Sequence, residues 1–238
     1  VATLLVAGAT TAGGQTRAAS DVEAMIVRGE RLVTANRLDE AASIANEALA
    51  RRPESARAHY LLGVVHERRQ QLDAAAAEYR AAIARAPKLA EAHDRLGFVL
   101  GTQGRSDEAI AEFERAIAIR PAFFDAQYHL GATLWWTKQV DRARVALGRA
   151  VRLRPAHAEA RYYLAVAERQ SGDLAAAIRD LRVALRYAPG LAIAQTAPSA
   201  SSGARSTSIR PCRTRATVLA SRSWSGATPT KPSRRCAR

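Results

Sequence analysis

Residue types able to hold a metal or move a proton are sparse in this chain. The five histidines are His59, His66, His93, His129 and His157, and the two cysteines are Cys212 and Cys236. His59 and His66 are seven apart, so one helix face presents both, but no carboxylate or third ligand at matching spacing completes a metal set. His59 and His93 are separated by 34 residues, which proves to be a repeat period, so they read as ordinary helix-surface histidines. No glycine loop resembles a phosphate cradle, Gly101-Thr-Gln-Gly104 reads as a turn, and no nucleophile motif stands out. No catalytic residue, metal or cofactor is predicted, and the chain reads as a non-catalytic one with no small-molecule substrate.

The elements that would carry any function are set by that period. Prolines recur at Pro53, Pro87, Pro121, Pro155 and Pro189, each 34 residues after the last. They frame five blocks, 22–55, 56–89, 90–123, 124–157 and 158–191. In register stand Leu62, Leu96, Leu130 and Leu164, each followed by a small residue, Gly63, Gly97, Gly131 or Ala165. Further columns are Ala41, Ala75, Ala109, Ala143 and Ala177, then Ala48, Ala82, Ala116, Ala150 and Ala184, with Tyr79, Phe113, Leu147 and Leu181 a helical turn away. Large side chains set against small ones at helical spacing predict two antiparallel helices per block. The connecting turns are expected near Asn36, Gln70, Gly104, Lys138 and Gly172. Asp39, Asp73, Asp107 and Asp141 are expected to cap the second helices, and Arg51, Arg85, Arg120, Arg154 and Arg186 to meet their negative dipole ends. The following proline cannot continue a helix.

Ala-His-Asp-Arg-Leu-Gly-Phe-Val-Leu (92–100), followed by Gly104, Ala109, Phe113, Ala116 and Pro121, resembles a near-consensus tetratricopeptide repeat. The resemblance covers about residues 22 to 191. It departs where the family often has Trp, here Met25, His59, His93, Gln127 and Arg161, and at Arg28, where leucine is usual. It implies an all-α, right-handed superhelical solenoid of stacked antiparallel helix pairs, with the first helix of each block lining a concave groove. Ligand-facing positions in such grooves are the second, fifth, ninth, twelfth and thirteenth. Here those columns supply seven acids, three arginines and six aromatics. The implied partner-binding residues are Tyr60, Glu91, Asp94, Phe98, Asp125, Tyr128, Trp135, Trp136 and Tyr162. An acidic, aromatic groove is expected to hold a protein or peptide segment that is basic with apolar anchors, with Trp135 and Trp136 as the hot spots. The alternative for the tyrosines and one tryptophan is packing between helices. The Lys-Arg-Asn carboxylate clamp of chaperone-tail binders and the asparagine ladder of O-linked N-acetylglucosamine transferase have no counterpart in these columns.

The ends read differently. Residues 1–21 form an apolar leader and linker, and Ala7-Gly8-Ala9 is like the cleavage end of a secretory signal, so a periplasmic or secreted location fits as well as a cytoplasmic one. Residues 192–238 begin a sixth block that breaks off at Ala-Pro-Ser-Ala-Ser-Ser-Gly (197–203). From Gly190 onward there are nine Lys or Arg and no acid, which leaves residues 1–189 with 27 bases against 22 acids out of a whole-chain charge of +14. This tail reads either as a disordered basic arm for nucleic acid or an anionic surface, or as out-of-frame translation of a repeat gene. Without a polar closing helix the last block is expected to self-associate or fray. No stretch is long and apolar enough to span a membrane. A repeat region of a larger enzyme or of a secretion or assembly machine is the alternative architecture.

Overall fold

The structure, a computed structural model, describes the backbone of residues 11–189 and the side chains of residues 20–189. The leader up to residue 10 and the sixth block with its basic tail lie outside the described residues. Every element within them is helical. The chain divides into two compact units, the first ending at Arg154 and the second beginning at Pro155. The first unit holds α1 (Thr11–Thr34), α2 (Leu38–Arg51), α3 (Ala56–Arg68), α4 (Leu72–Arg85), α5 (Ala90–Thr102), α6 (Ser106–Ile119), α7 (Phe124–Trp136) and α8 (Val140–Leu153). The second holds the hairpin of α9 (Ala158–Gln170) and α10 (Leu174–Tyr187). Helix α1 begins at Thr11, ahead of Val22 where the periodicity starts.

Each hairpin turn is built alike. At the end of α1, Asn36 takes φ 57°. The Arg37 N–H then reaches the Leu32 carbonyl at 2.8 Å, and the Asn36 N–H reaches Val33 at 3.0 Å. This pair of bonds satisfies the last carbonyls of the helix. Gln70, Gly104, Lys138 and Gly172 repeat the left-handed geometry at the expected sites. The second helices end two residues before each proline. The intervening residue, such as Arg52 at φ −145° and ψ 85°, has left the helical region, as the proline ring requires of its predecessor.

The columns of small residues are close approaches. A Cβ on Gly63 would lie 2.6 Å from the Tyr79 ring, on Gly97 2.7 Å from Phe113, and on Gly131 2.5 Å from Leu147. Tyr79, Phe113 and Leu147 are fully buried. Each contributes about 1.5–3 kcal/mol of burial. Gly29 serves the same purpose toward Leu61 of the following block.

The capping expectation is corrected. Asp39, Asp73, Asp107 and Asp141 sit in the first turns of α2, α4, α6 and α8, favourable to the dipole, but make no side-chain cap there. The cap positions are Arg37, Gln71, Arg105 and Gln139, two residues earlier. Asp39 and Asp73 instead reach the next block, accepting from Arg69 and from Gln103, the latter at 2.7 Å. Asp173, in the earlier column, does cap α10, accepting from the Ala176 N–H at 2.9 Å. Of the closing arginines, Arg120 and Arg154 lie one residue past their helices and turn toward carboxylates of α5 and α7.

Candidate functional site

The face built from the first helices of unit one carries eight of the nine expected partner-binding residues. Its second-position acids are all engaged. Arg57 bridges Glu23 and Glu30, the latter at 2.8 Å, Arg120 holds Glu91 at 2.8 Å, and Arg154 holds Asp125 at 3.3 Å. Arg120 and Arg154 also lie over the rings of Phe123 and Phe124, 3.8 Å and 4.2 Å from the centroids. These pairs remain half exposed, so each contributes about 0–1 kcal/mol.

Deeper in the face the polar groups are linked and covered. The Tyr79 hydroxyl donates to Glu67 at 2.6 Å, and Arg95 on α5 donates to the same carboxylate at 3.2 Å, tying the second block to the third. Burial beside Glu67 holds the Tyr79 hydroxyl far above the ordinary phenol range, and burial raises Tyr60 as well. Tyr60 packs against Tyr79 with centroids 5.8 Å apart. Asp94, expected to face a partner, is only 2% exposed and accepts a 2.8 Å hydrogen bond from His129 Nδ1. His129 is itself ringed by Phe98, Phe113 and Tyr128 at 5.4–5.6 Å. Tyr128 is buried and stacked on Phe124. Thus Asp94 ties the third block to the fourth and Tyr128 packs within α7, while Tyr60 and Phe98 are half covered and keep part of their surface at the face.

At the end of α7 stands the most accessible aromatic group of the face. Trp136 is 44% exposed and meets the half-buried Trp135 edge-on, with centroids 5.2 Å apart. The Lys138 ammonium lies 6.0 Å from the Trp135 ring. Tyr162 belongs to the second unit, half buried on α9 and edge-on to Tyr163 at 5.5 Å.

One set of side chains escapes a sequence reading. His93 is 5% exposed, not a surface residue, and spans two elements: Nδ1 meets Glu112 Oε2 of α6 at 2.7 Å, and Nε2 meets the Pro87 carbonyl at 3.0 Å. Both partners are acceptors, so an imidazolium satisfies both at once. The Glu112 hydrogen bond raises the His93 pKa, partly opposed by burial. His59 makes the same contacts with Glu78 and Pro53 at 2.7 Å and 3.3 Å. In the fifth block Arg161 replaces the histidine, pairing with Asp180 and donating to the Pro155 carbonyl at 2.6 Å. In the fourth block the carboxylate becomes Ala146 and the donor becomes neutral Gln127, which keeps only the Pro121 carbonyl, at 3.4 Å. The signal was present in sequence: an acid stands 19 residues after His59, His93 and Arg161, and is missing after Gln127 and after Met25 of the first block. Among the described residues no three His, Cys, Asp or Glu side chains group to hold a metal, and no helix is long and apolar enough to cross a membrane.

Comparison with known proteins agrees with this architecture. No curated protein matches the sequence. Among solved structures, PilF of Pseudomonas aeruginosa superposes with a TM-score of 0.69 at 22% identity, over 76% of this chain and 81% of that one. YrrB, a TPR protein with an unusual peptide-binding site, gives 0.60 at 22% identity, over 72% of this chain and 88% of its own. MamA of Desulfovibrio magneticus RS-1 gives 0.62 at 18% identity, over 71% and 96%. At such identities the likeness is one of fold. The tetratricopeptide-repeat model matches residues 26–90 and 134–192, and a TPR-repeat model matches 102–135 between them. With its period, its hairpin turns and its small-residue columns all in place, the chain belongs to the tetratricopeptide-repeat family.

Proposed function

We infer that this protein is a protein-interaction scaffold whose first-helix face in unit one binds a peptide segment with apolar anchors and flanking basic residues. The observation that carries the reading is the Trp135–Trp136 pair, a large apolar surface left at 44% exposure on Trp136 when the neighbouring first-helix aromatics are half buried or buried. Exposed aromatics of this kind lose little conformational entropy on binding and dominate interface energetics. Tyr60 and Phe98 supply further apolar contact along the face. The partner's cations are accommodated at the rim. Glu30, Glu91 and Asp125 already hold arginines, but pairs so exposed are weak, and an incoming lysine or arginine can replace Arg57, Arg120 or Arg154 at little cost. Asp94 and Glu67 are committed to the fold and take no part. YrrB, which shares the fold, has a peptide-binding site. That likeness supports the class of partner.

The test selects peptides on the full-length chain from a displayed library and compares their affinity for wild type and for Trp135→Ala/Trp136→Ala. The double substitution is expected to weaken them by tenfold or more with helicity unchanged. Equal affinity for both proteins would overturn the reading and return the tryptophans to a packing role.

A further inference from the structure

Helix α8 differs from the second helices before it. Helix α6 carries Asp107, Glu108, Glu112 and Glu114 against Arg115, whereas α8 carries Asp141 against Arg142, Arg144, Arg149 and Arg152. Arg142 is paired with Glu114 at 2.6 Å. Arg144, Arg149 and Arg152 are exposed and have no ionic or hydrogen-bonded partner among the described residues. At 100° per residue the exposed arc of α8 centres on Val145, which is 53% exposed, with Arg149 and Arg152 beside it and Leu153, 38% exposed, at one edge.

Gly148 lies on the same arc and has no role in the fold. Gly29, Gly63, Gly97 and Gly131 of the first helices would each drive a Cβ into a packed side chain, and Gly104 and Gly172 of the turns take a positive φ. At Gly148 an added Cβ would meet only the Arg152 guanidinium, at 3.7 Å, and the backbone is plain helix. Glycine is the poorest helix residue after proline, so packing and propensity both favour a larger residue here. The equivalent positions in α2, α4 and α6 hold Asn46, Arg80 and Glu114. A bare stretch of helix backbone, flanked by unpaired arginines and an exposed valine, is a notch that admits close approach by another chain.

We propose that the outward face of α8 is a second docking site, for an acidic peptide segment of a partner protein that places an aliphatic side chain against Val145 and Gly148 while its carboxylates pair with Arg144, Arg149 and Arg152. Guanidinium groups suit carboxylates through two parallel hydrogen bonds. Charge complementarity fixes the sign of the partner, and the valine and the notch fix its apolar component. A nucleic acid would meet the arginines but finds no aromatic side chain on this arc to stack on. An anionic bilayer would gain only one valine and one leucine, too little for stable anchoring.

The experiment titrates the full-length chain with a labelled short peptide of glutamates around a leucine, read by fluorescence anisotropy. A peptide of glutamates without the leucine, a single-stranded oligonucleotide and phosphatidylserine vesicles run in parallel. The leucine-bearing acidic peptide is expected to bind, at least tenfold more tightly than the leucine-free one, and to weaken at least tenfold in Arg149→Glu/Arg152→Glu. Gly148→Ala is the decisive variant: it should raise the thermal midpoint while weakening the peptide several-fold, a pairing that a damaged fold cannot produce. Trp135→Ala/Trp136→Ala should leave this affinity unchanged, which separates the α8 site from the first-helix face. The proposal is overturned if the acidic peptide does not bind, if Gly148→Ala binds it as wild type does, or if the oligonucleotide or the vesicles bind with the same arginine dependence and greater strength.

Discussion

The third repeat, α5 with α6, and the fourth, α7 with α8, are identical in plan and opposite in surface. Both set a glycine under a buried side chain, Gly97 under Phe113 and Gly131 under Leu147, and both bury an alanine column, Ala109 with Ala116 and Ala143 with Ala150. Outside that shared core they diverge. The third closes its first helix with Gly101-Thr102 and turns on Gly104, while the fourth places Trp135 and Trp136 there and turns on Lys138. The third ties its helices with His93 and Glu112, and the fourth has Gln127 and Ala146 at the equivalent positions. The second helix of the third is acidic, and that of the fourth is basic. Stacking fixes residues that touch the next helix and leaves the others free, so recognition is to be sought where two repeats of one plan disagree.

The largest expected effect tests whether the cores are as alike as this implies. Phe113→Ala should cost about 3–5 kcal/mol and Leu147→Ala about 2–5 kcal/mol, because neither surrounding shell can collapse onto the space left. Urea denaturation followed by circular dichroism measures both. A loss below about 1 kcal/mol for Leu147→Ala would break the comparison, since the fourth repeat would then lack an equivalent core.

The next effect comes from moving a difference across. Ala146→Glu alone buries a carboxylate facing a neutral amide, and Gln127→His alone leaves Nδ1 facing a methyl group. The double variant recreates the arrangement of His93 and Glu112. It should be more stable than the sum of the single changes allows, with a coupling energy of about 0.5–3 kcal/mol. Gln127 Oε1 is buried without a hydrogen-bond partner in the wild type, so this site starts incompletely satisfied. A coupling energy of zero from the four-protein cycle would mean that backbone geometry, and not the pair, decides the column.

Much of the fold was legible in the sequence because its cause is periodic. Proline spacing, small-residue columns and turn positions all follow from one hairpin repeated, and each appears where the period puts it. The site was less legible because face and burial are different properties. Asp94 and Tyr128 occupy groove positions by register, yet Asp94 is claimed by His129 of the next block and Tyr128 by Phe124, contacts that join residues 35 apart and four apart and that a single column does not reveal. The acids of these columns look like free charge in the sequence, yet arginines such as Arg120 and Arg154, whose positions mark helix ends, pair with them. Gly148 carries no signal in the sequence because its meaning is negative: only the structure shows that no packed side chain requires it.

The smallest effect is the pH dependence of the tie in the third repeat. His93 faces Glu112 and the Pro87 carbonyl, with Arg115 paired to the same glutamate, and its pKa is raised above 6.5 in the fold by the Glu112 hydrogen bond. A group that binds its proton more tightly when folded stabilises the protein fully below its unfolded pKa and loses that contribution as pH rises through its folded pKa. His93→Gln removes the titration while keeping a donor for the proline carbonyl, as Gln127 does for Pro121 in the neighbouring repeat. The difference in stability between wild type and His93→Gln should therefore be greatest in mildly acidic buffer and shrink as pH rises past 6.5 into the alkaline range. Thermal midpoints of the two proteins across that range measure it. A difference that stays flat would show that His93 is not charged in the fold, and the third and fourth repeats would then differ at this column in shape alone.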